Sequence, residues 1–203
     1  MIKERDMNRV SKIFIIIGSI FVLMSLTMFI YNKYEEIEAG NVANNTLKII
    51  KENLIDSDLS SNDNQLLLNN EFKEMKTTKI NGYNYLGTIT IPRLNLELPV
   101  MDEYDYNRLK KAPCRYYGSI YTNDLIICAH SYRTHFGYLD RLKQKDMIVF
   151  TDIDGINYFY EVLEIEILKP TEVDKMINND FDLTLYTCTS DGNNRITVRC
   201  NRI

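Results

Sequence analysis

The sequence predicts a mainly β domain preceded by an N-terminal transmembrane helix, and three observations predict it. Residues 13 to 31, IFIIIGSIFVLMSLTMFIY, hold no charge in 19 positions. From Tyr83 onward the chain breaks into short runs rich in β-branched and aromatic residues. Gly, Pro, Asn and Asp separate those runs, the spacing of an all-β barrel or sandwich of roughly 120 residues.

Taken in order, the first element is the anchor. At 1.5 Å rise per residue the apolar run covers about 29 Å, close to the thickness of a bilayer core. Lys3, Arg5, Arg9 and Lys12 precede it, so residues 1–12 are expected as a cytoplasmic tail, with the rest of the chain outside the cell membrane. A cleaved signal peptide fits less well, because the run is long and no small-x-small cleavage site follows. Residues 32–80 are polar and rich in Asn, Asp and Ser. They predict a stalk with one marginal helix, spaced on Val42, Leu47, Ile50 and Leu54, and then a linker. Residues 81–203 form the predicted β domain. Its strand-like runs are YLGTITI, LELPV, DLIICAH, MIVFTDI, NYFYEVLEIEIL, LTLYTC and RITVRCNRI, with short helices expected at DYNRLKKA and FGYLDRLKQ.

A net charge of −4 and the absence of a long basic run argue against nucleic acid as a partner. The four cysteines are Cys114, Cys128, Cys188 and Cys200. An even count outside the cell suggests disulfides, although a chain of this size can build a core with free thiols. No two are closer than 12 positions, so a zinc site is not expected.

The last two strand-like runs carry the chemistry. If LTLYTC and RITVRC pair across the connection TSDGNN, the simplest register sets Cys188 opposite Arg195. Thr184, Tyr186 and Cys188 then share a face with Arg195, Thr197 and Arg199, while Leu183, Leu185, Ile196, Val198 and Cys200 face the core. A cation beside a thiol favours the thiolate and can hold an oxyanion. A base must come from His130 or His135, the two histidines of the chain. His130 ends the run DLIICAH, where a side chain can overhang a sheet edge, and His135 lies in the loop SYRTHF. If DLIICAH alternates to its end, Cys128 points to the same side as His130.

The stretch TLYTC, followed seven residues on by RITVR, resembles the signature of sortases, the membrane-anchored cysteine transpeptidases of Gram-positive bacteria. AHSYRTHFGYLDRL is similar to the family's histidine block, which gives the histidine role to His130. GTITIPRLNLELPV and APCRYYGS are similar to its early strands and to the loop before the histidine strand. Ala129 departs from the Gly usual before the catalytic histidine.

The resemblance implies a closed eight-stranded β-barrel and no required cofactor. It implies Cys188 as nucleophile, His130 as acid–base group and Arg195 as oxyanion holder, with Tyr186 and Thr187 contacting substrate. The implied partners are the C-terminal sorting-signal peptide of a surface protein, an LPXTG-like sequence cut between Thr and Gly, and a cell-wall amine that accepts the acyl group. The sequence has no Asp-Pro dipeptide and ends at Ile203, so the lid-bearing pilin-polymerising type is not expected. The alternatives are an inactive barrel serving as a tethered binding module, or a cysteine hydrolase that transfers to water. Uncoupled thiol and imidazole groups would both be charged in only about 1% of molecules near pH 7.5, so slow turnover is expected.

Overall fold

The computed structural model describes the backbone of residues 2–60 and 74–203, and the side chains of 11–55 and 74–203. Most of the linker expected after Ser60, and the side chains of the basic tail before Ser11, lie outside the described residues. Two compact units divide the chain, one reaching Ile37 and the other running Glu38–Ile203.

The first unit is helical, and its apolar side chains from Ile13 to Tyr31 are exposed on a helix long and apolar enough to cross a membrane. Where an anchor and a separate marginal helix were expected, a single helix α1 spans Ile2–Ser60. Residues 32–60 hold no proline and only the isolated Gly40, so nothing in the backbone stops the helix. Within the second unit, α1 buries Ala39, Ala43, Thr46 and Ile50, one face at helical spacing. Leu47 and Leu54, read as face residues, are half-buried at its margin. Small side chains lead the face because the helix lies close: a Cβ at Gly40 would meet Thr134 Cγ2 at 2.9 Å.

The strands are β1 (Thr78–Ile80), β2 (Tyr83–Ile91), β3 (Leu96–Met101), β4 (Cys114–Tyr117), β5 (Leu125–Cys128), β6 (Met147–Asp152), β7 (Asn157–Leu168), β8 (Leu183–Cys188) and β9 (Arg195–Arg202). Among the described residues, eight of them close a barrel in the order β2-β3-β4-β5-β8-β9-β7-β6, with β6 returning to β2 and β1 added beside β2 as an edge. Pairs β3–β4 and β5–β8 are parallel, and the others are antiparallel. β4 was expected as loop. Its CRYY sequence is too short and polar to read as a strand alone, and it is extended because β3 and β5 flank it.

The barrel interior holds Leu183, Leu185, Val198 and Cys200, as the alternation requires. A second apolar cluster lies on the outer face, where Ile50 of α1 covers Tyr85, Met101, Cys114 and Cys128. The DYNRLKKA run forms a short α2 (Tyr106–Leu109), capped by Asp105, whose Oδ1 accepts from the backbone N–H groups of Asn107 at 2.7 Å and Arg108 at 2.9 Å. The FGYLDRLKQ run supplies only one 3-10 turn, Leu139–Arg141. A further short helix, α3 (Val173–Ile177), lies in the β7–β8 connection.

Candidate active site

The β8–β9 hairpin takes the expected register. Cys188 ends β8 and faces Arg195, the first residue of β9, while Tyr186 faces Thr197 and Thr184 faces Arg199. The turn between them is tied internally: Thr189 N donates to Asn194 O at 2.9 Å, and Gly192 N to Thr189 O at 2.8 Å. Gly192 sits at φ +74°, a conformation that only glycine adopts freely. Hydrogen bonds from Thr189 and Asn193 hold the Asp191 carboxyl below its ordinary range. The Arg195 guanidinium leans over this turn, its Nη1 donating to Asn194 O at 3.1 Å and Gly192 O at 3.4 Å.

The sheet brings His130 to the same rim. Strand β5 runs parallel to β8, with Cys128 opposite Tyr186. The pairing continues past the strand end, since Ala129 N donates to Tyr186 O at 3.2 Å. One further step in that register sets His130 level with Cys188. Thr187 lies on the other side of β8, only 1% exposed, and its hydroxyl donates to Ala129 O at 2.8 Å. It clamps the histidine strand to the cysteine strand. Tyr186 lies on the outer face with Cys188.

The loop after His130 folds back tightly. Phe136 N donates to His130 O at 3.2 Å, and the Tyr132 carbonyl accepts from His135 N at 2.9 Å and Gly137 N at 2.8 Å. Phe136 is fully buried, and a Cβ on Gly137 would meet the Ser131 and Tyr132 carbonyls at 2.6 Å. These contacts give a physical reason for Phe-Gly after the histidine. His135 is 1% exposed and packs against Tyr132, so it faces the protein and not the rim. The His130 ring stacks on Tyr132, centroids 4.7 Å apart, and meets the edge of Tyr106 at 5.7 Å.

Of the two arginines on the face, Arg199 is committed elsewhere. It is 2% exposed, and its Nε donates to Glu166 Oε1 at 2.8 Å. Its Nη1 reaches Thr184 Oγ1 at 3.0 Å and Met176 O at 3.3 Å, and its Nη2 reaches Lys175 O at 2.7 Å. That fixes α3 to the barrel. Between α3 and the hairpin lies a cavity of about 220 Å³, walled by Tyr104, Tyr116, Tyr186, Met176, Val173 and Arg195. Its three tyrosines pack edge to face, with Tyr116 5.6 Å from Tyr104 and 5.4 Å from Tyr186. Tyr104, Tyr116 and Met176 were not picked from the sequence. The signal was the tyrosine pairs EYDY and RYY beside the strands, which composition alone does not place.

The thiols divide sharply. Cys188 is half-buried at the rim, whereas Cys114, Cys128 and Cys200 are buried, and all four are free. Burial pushes the Cys128 thiol up to about 12, and raises those of Cys114 and Cys200 as well. Among the described residues no cluster of three or more His, Cys, Asp or Glu is placed to hold a metal.

The sortase domain family model matches residues 89–203 of the chain. Sortase A from Corynebacterium diphtheriae is similar in structure at 26% identity and a TM-score of 0.53, over 60% of this chain and 61% of that one. Sortase C1 from Streptococcus agalactiae aligns at 28% identity and a TM-score of 0.51, covering 58% and 66%. Sortase C1 from Streptococcus suis aligns at 26% and 0.51, covering 59% and 73%. The chain thus spans about three fifths of the length of the first of these structures. No curated protein matches it.

Proposed function

The chain belongs to the sortase family, and on that premise we propose that it is a membrane-anchored cysteine transpeptidase acting outside the cell on the sorting signals of surface proteins. The observation that carries the reading is the directly opposed pair Cys188–Arg195, with the strand that leads into His130 paired in parallel beside the cysteine strand. One hairpin thus supplies the candidate nucleophile and cation, and the strand beside it leads into the candidate acid–base group.

In this mechanism the Cys188 thiolate attacks the carbonyl carbon of Thr in an LPXTG-like signal. Arg195 turns from the hairpin carbonyls toward the substrate and holds the developing oxyanion. His130, as imidazolium, gives its proton to the departing Gly amine, and the Thr carbonyl remains as a thioester on Cys188. A cell-wall amine then attacks the thioester, His130 takes its proton, and the thiolate leaves. The 220 Å³ cavity, aromatic on one side and bounded by Arg195, suits the apolar residues ahead of the scissile bond. Tyr186 contacts them directly, and Thr187 acts through Ala129. The absence of an Asp-Pro dipeptide favours anchoring over pilin polymerisation. Helix α1 tethers the enzyme, with its N-terminus inside.

The test uses the full chain in detergent and a quenched LPXTG peptide, with and without an oligoglycine or diaminopimelate-type amine. Amine-dependent product is expected, together with an acyl adduct on Cys188 by mass spectrometry. Cys188→Ala abolishes turnover and retains peptide binding. Arg195→Lys loses most of the rate, since an ammonium cannot reproduce a planar fork of donors. Product containing only water as acceptor would make the protein a hydrolase, and binding without any turnover would make it a tethered module.

A further inference from the structure

The His130 ring is the second of four aromatic rings in a row of successive contacts that runs from exposed Tyr106 to buried His135. Tyr106 presents an edge to it at 5.7 Å and 73°. Tyr132 lies nearly parallel to it, at 4.7 Å and 22°. His135 closes the row behind Tyr132 at 5.7 Å. Two different segments supply these rings, and both are built to be still. The Tyr132 carbonyl accepts two backbone N–H groups, and its neighbours Phe136 and His135 are buried. Tyr106 is the first residue of α2, whose cap Asp105 accepts from two backbone N–H groups, and Arg108 of the same turn pairs with Glu103 at 2.6 Å. Tyr106 is itself 62% exposed, too open to serve as packing for the core.

We propose that Tyr132 and Tyr106 are positioning residues for His130, the first stacking on the imidazole and the second limiting its swing. The proposal rests on the reading of His130 as the acid–base group. A histidine at a strand end has two free torsions, and a proton donor must stand within hydrogen-bond reach of the leaving amine. One ring stacked on the imidazole and another meeting it edge to face remove most of that freedom. The stack also acts on charge: a π-face attracts a cation and so favours the imidazolium, by an amount that well above the midpoint changes the fraction of enzyme holding a proton for the leaving group up to about fivefold.

The other charged or titratable groups around this row come from each neighbouring element. Lys110 stands over the Tyr106 ring at 5.3 Å. Cys188 and Arg195 lie across the hairpin rim, and His135 lies behind Tyr132. None of them is altered by changing Tyr132 to another neutral residue.

The experiment uses the full chain in detergent, labelled with ¹³C at histidine, and the same LPXTG peptide assay. The chain has only two histidines, so each gives a separate signal, assigned with His135→Gln. Tyr132→Phe keeps the ring and should leave the His130 midpoint within about 0.2 unit and turnover within about twofold. Tyr132→Leu keeps the bulk but not the ring. Its His130 midpoint should fall by roughly half a unit or more, the pH–rate limb that tracks it should move equally, and kcat should fall about fivefold or more with KM little changed. Tyr106→Ala should lower kcat severalfold with a smaller midpoint shift. Equal midpoints and equal rates in Tyr132→Phe and Tyr132→Leu would overturn the proposal. Because the NMR midpoint is read without turnover, it tests the stack even if His130→Ala proves fully active, a result that would sink the acid–base reading instead.

Discussion

Replacing Arg199 with Met separates the two arginines that share the hairpin face. The side chain is 2% exposed and makes hydrogen bonds to Glu166, Thr184 and the carbonyls of Lys175 and Met176. Met keeps the length and apolar stem, so the loss is the guanidinium and its bonds. Removing one partner of a buried ion pair costs about 3–5 kcal/mol. The Glu166 side chain is 30% exposed and can rehydrate, which puts the cost near the lower end, about 3 kcal/mol. For a unit of this size each kcal/mol lowers the melting temperature by about 2–4 °C, so a fall of about 6–12 °C is expected. The functional loss should follow the same contact. Released from Arg199, α3 no longer holds the wall of the cavity beside Arg195, so the peptide KM should rise severalfold while kcat changes less. Calorimetry and steady-state peptide cleavage read both quantities. A melting temperature within 2 °C of the parent with a collapsed kcat would refute this reasoning and give Arg199 a part in the chemistry.

Three further outcomes follow from the fold. Deleting residues 1–37 should leave the melting temperature within about 2 °C, because Ala39, Ala43, Thr46 and Ile50 remain in place. Deleting 1–80 removes buried Ile50, Met75 and Ile80, each worth about 1.5–3 kcal/mol, and should cost upwards of about 4 kcal/mol in urea denaturation. Alkali should unfold the barrel, because burial raises the thiols of Cys114, Cys128 and Cys200 and the phenol of Tyr186 above their unfolded values. Groups raised in this direction contribute fully below the ordinary thiol range and lose their contribution as pH climbs toward about 12, the Cys128 value. Urea midpoints that stay flat or rise from pH 8.5 to 11 would contradict that sign.

The barrel was legible because most of its strands carry their own pattern. β8 and β9 alternate so regularly that the register, and with it the Cys188–Arg195 pair, could be written before any coordinates. β4 was not legible, because CRYY is extended by its two neighbours and not by its own residues. The packed face of α1 was read only in part, at Ile50, for a related reason. Large apolar side chains mark a helix face in sequence, yet here the closest approach is made by Ala39, Gly40 and Ala43, whose smallness carries little hydropathy signal. The tyrosines around His130 and the cavity escaped because aromatic rings in loops have no period to betray them.

Cys128 and Cys188 show how far one pleat changes a thiol. Both lie on the outer face and both belong to strands that end at the rim. Cys128 directly opposes Tyr186 on one side and Cys114 on the other, and it is 1% exposed beneath the outer apolar cluster. Burial there favours the neutral form, so the thiol stays protonated as a packing group. Cys188 is two residues further along β8, where the cover ends, and it faces a guanidinium. The same offset works against a disulfide between them. Residues diagonal across adjacent strands stand about 7–8 Å apart, at or beyond the reach of a disulfide, whereas directly opposed Cys114 and Cys128 lie within it. Oxidation is therefore expected to link Cys114 and Cys128, below the cleft, and to leave the rim thiol of Cys188 outside the pair, which peptide mapping of peroxide-treated protein checks.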